Sequence, residues 1–265
     1  SLLATQLVSR MREAFGAELA LREVFADATV RGLAQRVEGA QRREGPAMAR
    51  VKREGSLPLS FAQQRLWFIE RLAPGNVGYN MPAAYRVTGR LDLDALEGAL
   101  GDLTARHETL RTRFVEEGGE GRQVIEASGG VALERVDLRG LEGDERRARA
   151  RALARDEAMR PFELESGKLL RAKALRMGEQ EHVLLATMHH IVSDGWSMGV
   201  FIRELAALYA ARARGGEAEL PALPVQYADF AAWQRARLSG ETLEEEVGYW
   251  RERLAGLEVL ELPGD

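Results

Sequence analysis

Apolar residues recur at helical spacing from the start of the chain, where Leu3, Leu7, Met11, Ala14 and Phe15 line one face before Gly16 stops the run. Thr29, Val30, Leu33 and Val37 repeat the pattern, so short helices are expected from Ser1 to about Val37. Their combined apolar face is small for a self-supporting core, which usually needs more than roughly 40 residues. Residues 38–56 then turn polar and basic, with Arg42, Arg43, Pro46, Lys52 and Arg53 and no periodicity, and read as a linker.

Beyond Pro58 helix and strand signals alternate, which predicts an α/β or α+β layered domain over residues 57–265. Phe61 to Arg71 reads as helix. Leu93, Leu96, Leu100 and Leu103 share a helical face behind Asp92, a good N-cap, and Leu110 to Val115 reads as strand. Val131 to Val136 is expected to be extended, Asp144 to Met159 helical and Leu169 to Leu175 extended, with Pro161 and Gly167 as breakers. Val183 to Met188 is apolar at almost every position, as in a strand covered on both faces, and it leads into His189 and His190. A helix is expected from Ser197, its cap, to Ala211, and Thr242 with Glu245 reads as a capping box ahead of Val247, Trp250 and Leu254. Trp67, Trp233 and Trp250 read as core, and Glu244, Glu245 and Glu246 as a solvated face.

Composition narrows the function classes. With 45% apolar residues the chain can bury a core, and 41 acidic against 37 basic residues, spread evenly, offer no basic stripe for nucleic acid. There is no cysteine, which removes disulfides and thiolate metal sites and fits a cytoplasmic location. No apolar run approaches the roughly 20 residues of a membrane helix.

The candidate chemistry is concentrated at His189 and His190. Neighbouring side chains on a strand point to opposite faces, so one histidine can face a cavity while the other packs inward. An imidazole titrating near pH 6.5 suits proton transfer from a nucleophile, an effect worth roughly 100- to 10,000-fold in rate. Asp194 follows past a turn that Gly195 permits, and from the residues alone it is open whether it acts as base, as orienter of the histidine or as partner of a buried arginine. The backbone amides near Ser197, at the start of the following helix, are candidates for holding a developing oxyanion.

The run His189, His190, three residues, Asp194, Gly195 resembles the HHxxxDG signature of nonribosomal peptide synthetase condensation domains. Ser60 to Phe68, Arg106 to Phe114 and Tyr227 to Gln234 resemble the first, second and fourth motifs of that family, in its order, and Arg160 to Leu164 resembles a further common segment. The resemblance implies a chloramphenicol-acetyltransferase-like lobe, the first of two, in which His190 is catalytic. His189, Asp194 and Gly195 are supporting residues, and Asp194 is implied to pair with an arginine of the second motif, Arg111 before Arg106. It implies amide-bond formation between an upstream carrier-bound acyl thioester and a downstream carrier-bound amine. The form of Val192 to Val200 is most similar to the subtype joining two L residues.

Ser1 to about Val37 resembles the end of a peptidyl carrier domain that begins at the serine bearing 4'-phosphopantetheine, which would be Ser1. The implied partners are the upstream and downstream carriers, an adenylation domain of the same assembly line and the missing second lobe. The lone fragment is therefore expected to show little or no condensation activity.

Two rivals come from other classes. Gly195 to Gly199 spells G-x-S-x-G, which makes Ser197 a candidate hydrolase nucleophile, but His107, His182, His189 and His190 all precede it, the wrong order for that fold. A carrier-docking module without chemistry is the other. A metal site on His189, His190 and Asp194 is disfavoured because neighbouring strand side chains diverge.

Overall fold

The computed structural model describes residues 2–17, 19–40 and 48–257, in two compact units that divide between Ala47 and Met48. The first holds α1 (Leu2–Phe15), α2 (Leu21–Ala26) and α3 (Val30–Gly39). Gly16 ends α1 at φ +64°, a left-handed conformation that glycine adopts without strain, and its amide donates to the Arg12 carbonyl. Thr29 caps α3 by accepting the Gly32 amide. Met11, Leu19, Val24 and Leu33 form a small core. Of the predicted stripe on α1 only Met11 is buried; Leu3, Leu7 and Phe15 are exposed, because Ala4 and Val8 face the core beside it.

The second unit runs β1 (Leu57–Pro58), α4 (Phe61–Leu72), β2 (Asn80–Thr88), α5 (Leu93–Arg106), a 3-10 turn (Glu108–Arg111), β3 (Thr112–Glu117), β4 (Glu120–Ile125), β5 (Leu133–Asp137) and α6 (Gly143–Ala158). A second 3-10 turn (Leu164–Ser166) leads to β6 (Leu170–Gly178), β7 (Glu181–His189), α7 (Gly195–Arg212), α8 (Tyr227–Arg237) and α9 (Gly240–Arg253). The main sheet has the order β2-β7-β6-β5, antiparallel except for the parallel pair β5 and β6, and a small sheet joins β1, β4 and β3.

β7 is thus an interior strand, and its alternation divides the core. Leu184, Ala186 and Met188 join the large cluster with Leu100 and Leu103 of α5 and Phe201 and Leu205 of α7. Leu185 joins a smaller cluster with Ala150 and Leu153 of α6. Helices therefore cover both faces, the layered α/β arrangement expected from an apolar strand of this kind.

Several local expectations change. The segment from Leu110 does not enter the sheet directly: Thr112 Oγ1 donates to the Glu108 carbonyl at 2.7 Å, tightening residues 108–111 into a 3-10 turn before β3 begins. Helix α9 starts at Gly240, whose φ of +54° bends the chain out of α8, so Ser239 is the N-cap and Thr242 lies inside the helix. Trp250 is exposed rather than core. The linker reading of 38–56 meets two ordered stretches, since α3 continues to Gly39 and residues 50–53 are tied to the second unit. Arg53 donates to both carboxylate oxygens of the fully buried Asp229 at 2.8 and 3.0 Å and to Glu108 at 2.8 Å. A buried carboxylate needs such a partner, and this one comes from far away in sequence.

Candidate active site

β7 ends at His189, and the chain then turns sharply before α7. The His189 amide donates to the Leu169 carbonyl, and the His190 amide donates to the Tyr79 carbonyl at 2.9 Å, so both flanks hold the turn. The two histidines part company as strand geometry requires. His189 is 2% exposed and His190 is exposed.

His189 Nδ1 accepts the Ile191 amide at 3.1 Å, which places the ring proton on Nε2, and that atom is buried without a partner. Burial, aided by the neighbouring His190, pushes its pKa down to about 4, so the ring is neutral at cellular pH. His190 uses its Nδ1 the other way, as a donor. Its Nδ1 lies 2.6 Å from the Ser193 carbonyl, which can only accept, so Nδ1 carries the proton. Nε2 has no hydrogen-bond partner among the described residues, and the ring is exposed. The same loop borders a cavity of about 140 Å³ walled by Leu103, His107, Met188, Val192, Trp196 and Phe201.

Asp194 is the N-cap of α7. Its Oδ1 accepts the Ser197 amide at 2.7 Å and the Ser197 hydroxyl at 2.6 Å. Burial alone would raise its pKa, but the Ser197 and Trp196 hydrogen bonds and nearby His190 hold it below the usual carboxylate range. Three expectations are corrected here. Ser197 is capped rather than the cap. The amides near Ser197 already serve a carboxylate, and a second anion beside Asp194 is disfavoured by repulsion. The arginine pairing also fails: Arg111 donates to the Glu126 carbonyl and lies 3.9 Å from Glu108, while Arg106 pairs with Glu204 at 3.0 Å. Among the described residues Asp194 has no arginine partner; its Oδ1 accepts from Ser197 instead. Gly195 begins α7 in open space, where an added Cβ meets nothing within 4 Å.

Glu204 was not legible in the sequence. It lies in the third turn of α7 and accepts from Arg106 while meeting His107 Nε2 at 2.6 Å. Burial pushes its carboxyl up, but His107 and Arg106 outweigh this and hold it low. No local motif marks it.

Residues 53–265 match the family model "Condensation domain". The chain belongs to the condensation domain family. Residues 1–37 match "Phosphopantetheine attachment site". Malpinin synthetase of Mortierella alpina is 44% identical over all of this condensation-domain chain, which spans 3% of that protein. Phosphinothricin tripeptide synthetase PhsC of Streptomyces viridochromogenes is 48% identical over 80% of the chain and 20% of its own length. The crystal structure of the X-domain from teicoplanin biosynthesis superposes with a TM-score of 0.70 at 35% identity, covering 80% of this chain and 46% of that one. The starter condensation domain of rhizomide synthetase RzmA, at 21% identity, shares the fold with a TM-score of 0.68 over 78% of this chain and 52% of its own. The chain thus spans about half the length of these solved relatives.

The attachment-site match implies 4'-phosphopantetheine bound covalently to a serine. Ser1 lies outside the described residues. The described ones fit such a group: α1 opens at Leu2 with no acidic residue in its first turn, so nothing there repels a phosphodiester at its positive end.

Proposed function

We propose that this condensation domain forms an amide bond between an upstream carrier-bound acyl or peptidyl thioester and the amine of a downstream carrier-bound aminoacyl group. The observation that carries this is the anchoring of His190: Nδ1 is committed to the Ser193 carbonyl at 2.6 Å, and the exposed ring keeps Nε2 free of any partner among the described residues. As the amine nitrogen forms its bond to the acyl carbon, His190 Nε2 takes the proton that nitrogen sheds. The ring hydrogen bond holds the imidazole still, so base and nucleophile meet without reorganisation. The carbon–sulfur bond then breaks, the His190 imidazolium returns that proton to the leaving thiolate, and the free thiol departs with the carrier. His189 stays neutral and packs the turn, and Asp194 and Gly195 start α7 behind it.

Phosphopantetheine supplies the thioester arm on each carrier, with Ser1 as its attachment point in the carrier segment 1–37. The second lobe, carriers and adenylation domain of one cytoplasmic assembly line are the partners, and the pattern Val192 to Val200 favours joining two L residues.

The test compares His190→Ala and Ser197→Ala in the complete two-lobe domain, following amide formation and thioester hydrolysis with L- and D-configured donors. His190→Ala is expected to lower amide formation by roughly 100- to 10,000-fold. Loss through Ser197 alone points to a hydrolase, and loss through neither points to docking.

A further inference from the structure

The residue pattern behind His189 assigns a role to Arg171 of β6. Side chains of Thr187 and His189 share one face of β7. Arg171 stands opposite Thr187, and Asn80 of β2 stands opposite His189, so both side chains rise beside the buried imidazole. Both reach for the same backbone turn at the end of α6. Arg171 donates to the carbonyls of Glu157, Arg160 and Pro161 at 3.1, 2.8 and 3.0 Å, and its Nε reaches the buried Glu157 carboxylate at 2.5 Å. Asn80 donates to the carbonyls of Ala158 and Arg160 at 2.7 and 2.9 Å. The turn is therefore pinned from strands on either side of β7.

That pinning delivers Phe162. The guanidinium carbon of Arg171 lies 3.7 Å from the centre of the Phe162 ring, and the ring meets His189 edge-on at 5.9 Å and 83°. His189 in turn holds the first step of the signature turn by accepting the Ile191 amide, and its carbonyl accepts the Val192 amide. The imidazole of His190 is oriented by the carbonyl of Ser193, the next residue of that turn. Lysine cannot replace this arginine, because the planar fork is needed both to reach three carbonyls and to lie on the aromatic face.

We infer that Arg171 is a positioning residue for His190, acting through Phe162 and His189. The inference rests on the proposed role of His190 only for its activity readout; its structural readout stands apart. That readout is the ring nitrogen spectrum of ¹⁵N-histidine-labelled protein, in which four histidines are resolved and His190 is assigned by its loss in His190→Ala. The parent is expected to show His190 as the Nδ1–H tautomer. In Arg171→Met and in Phe162→Leu that signal shifts toward a tautomer mixture, while Phe162→Tyr, which keeps the edge contact, restores it.

In the complete two-lobe domain the same two variants are expected to lower kcat for amide formation about 10- to 100-fold with KM for the carriers unchanged. Phe162→Leu leaves the Arg171 and Glu157 pair in place, so it decides the matter if Arg171→Met does not fold. A parent-like tautomer and kcat in the folded variants overturn the inference. A fully active His190→Ala overturns the functional reading and leaves the tautomer shift to judge Arg171.

Discussion

At the scale of single residues, two adjacent imidazoles have been given opposite tasks by burial and one hydrogen bond each. His189 stays neutral in the fold, with its pKa held at about 4, while in the unfolded chain it titrates near 6.5. The unfolded state therefore takes up a proton between these values that the native state refuses, and stability falls as pH drops through that window. Urea unfolding at pH 7 and pH 4.5 is expected to show the parent losing about 2 kcal/mol more than His189→Leu, which lacks the titrating group. Equal losses refute the buried neutral ring. The pairing of histidines on opposite faces was legible in strand periodicity. Which of them faced outward was not, because it depends on Phe162, from a separate segment, packing edge-on against the His189 ring.

Among the elements, α7 shows how a signature residue serves the fold. Asp194 caps an 18-residue helix that packs on α5 and completes the large core. Asp194→Ala is expected to cost roughly 1 to 2 kcal/mol in urea unfolding and Asp194→Asn much less, since asparagine caps nearly as well. Equal destabilisation by both would assign Asp194 a role through its charge instead. Because the carboxyl is held low, its contribution is present at neutral pH and fades as pH falls through its native pKa. The helix itself was plain in the spacing of Phe201, Leu205 and Leu208. Its start two residues early was missed because Gly195 and Trp196 carry no helical signal. β2 was missed although Met81, Ala83, Tyr85 and Val87 alternate, since Pro82 reads as a breaker; it is tolerated because β2 is an edge strand.

Across the whole molecule, stability is unevenly distributed between the two units. Among the described residues the core cluster of the first is Met11, Leu19, Val24 and Leu33, whereas β7 is paired on both sides and covered on both faces. Amide hydrogen exchange is expected to be slowest at Leu184 to Met188 and orders of magnitude faster in α1 to α3, since local opening there exposes little apolar surface. Comparable protection in both would contradict this distribution. The chain's own residue order determined the helical and extended segments with strong periodicity, the capping Asp92, the buried central strand and the motif that places two histidines at its end, because each of these is written in neighbours within a few residues. Only the tertiary structure decided the partners. Arg53 with Asp229, Glu204 with His107, and Arg171 with the turn before Phe162 join residues from separate elements, and an exposed-looking charge in the sequence becomes a buried tie once packing removes the water around it.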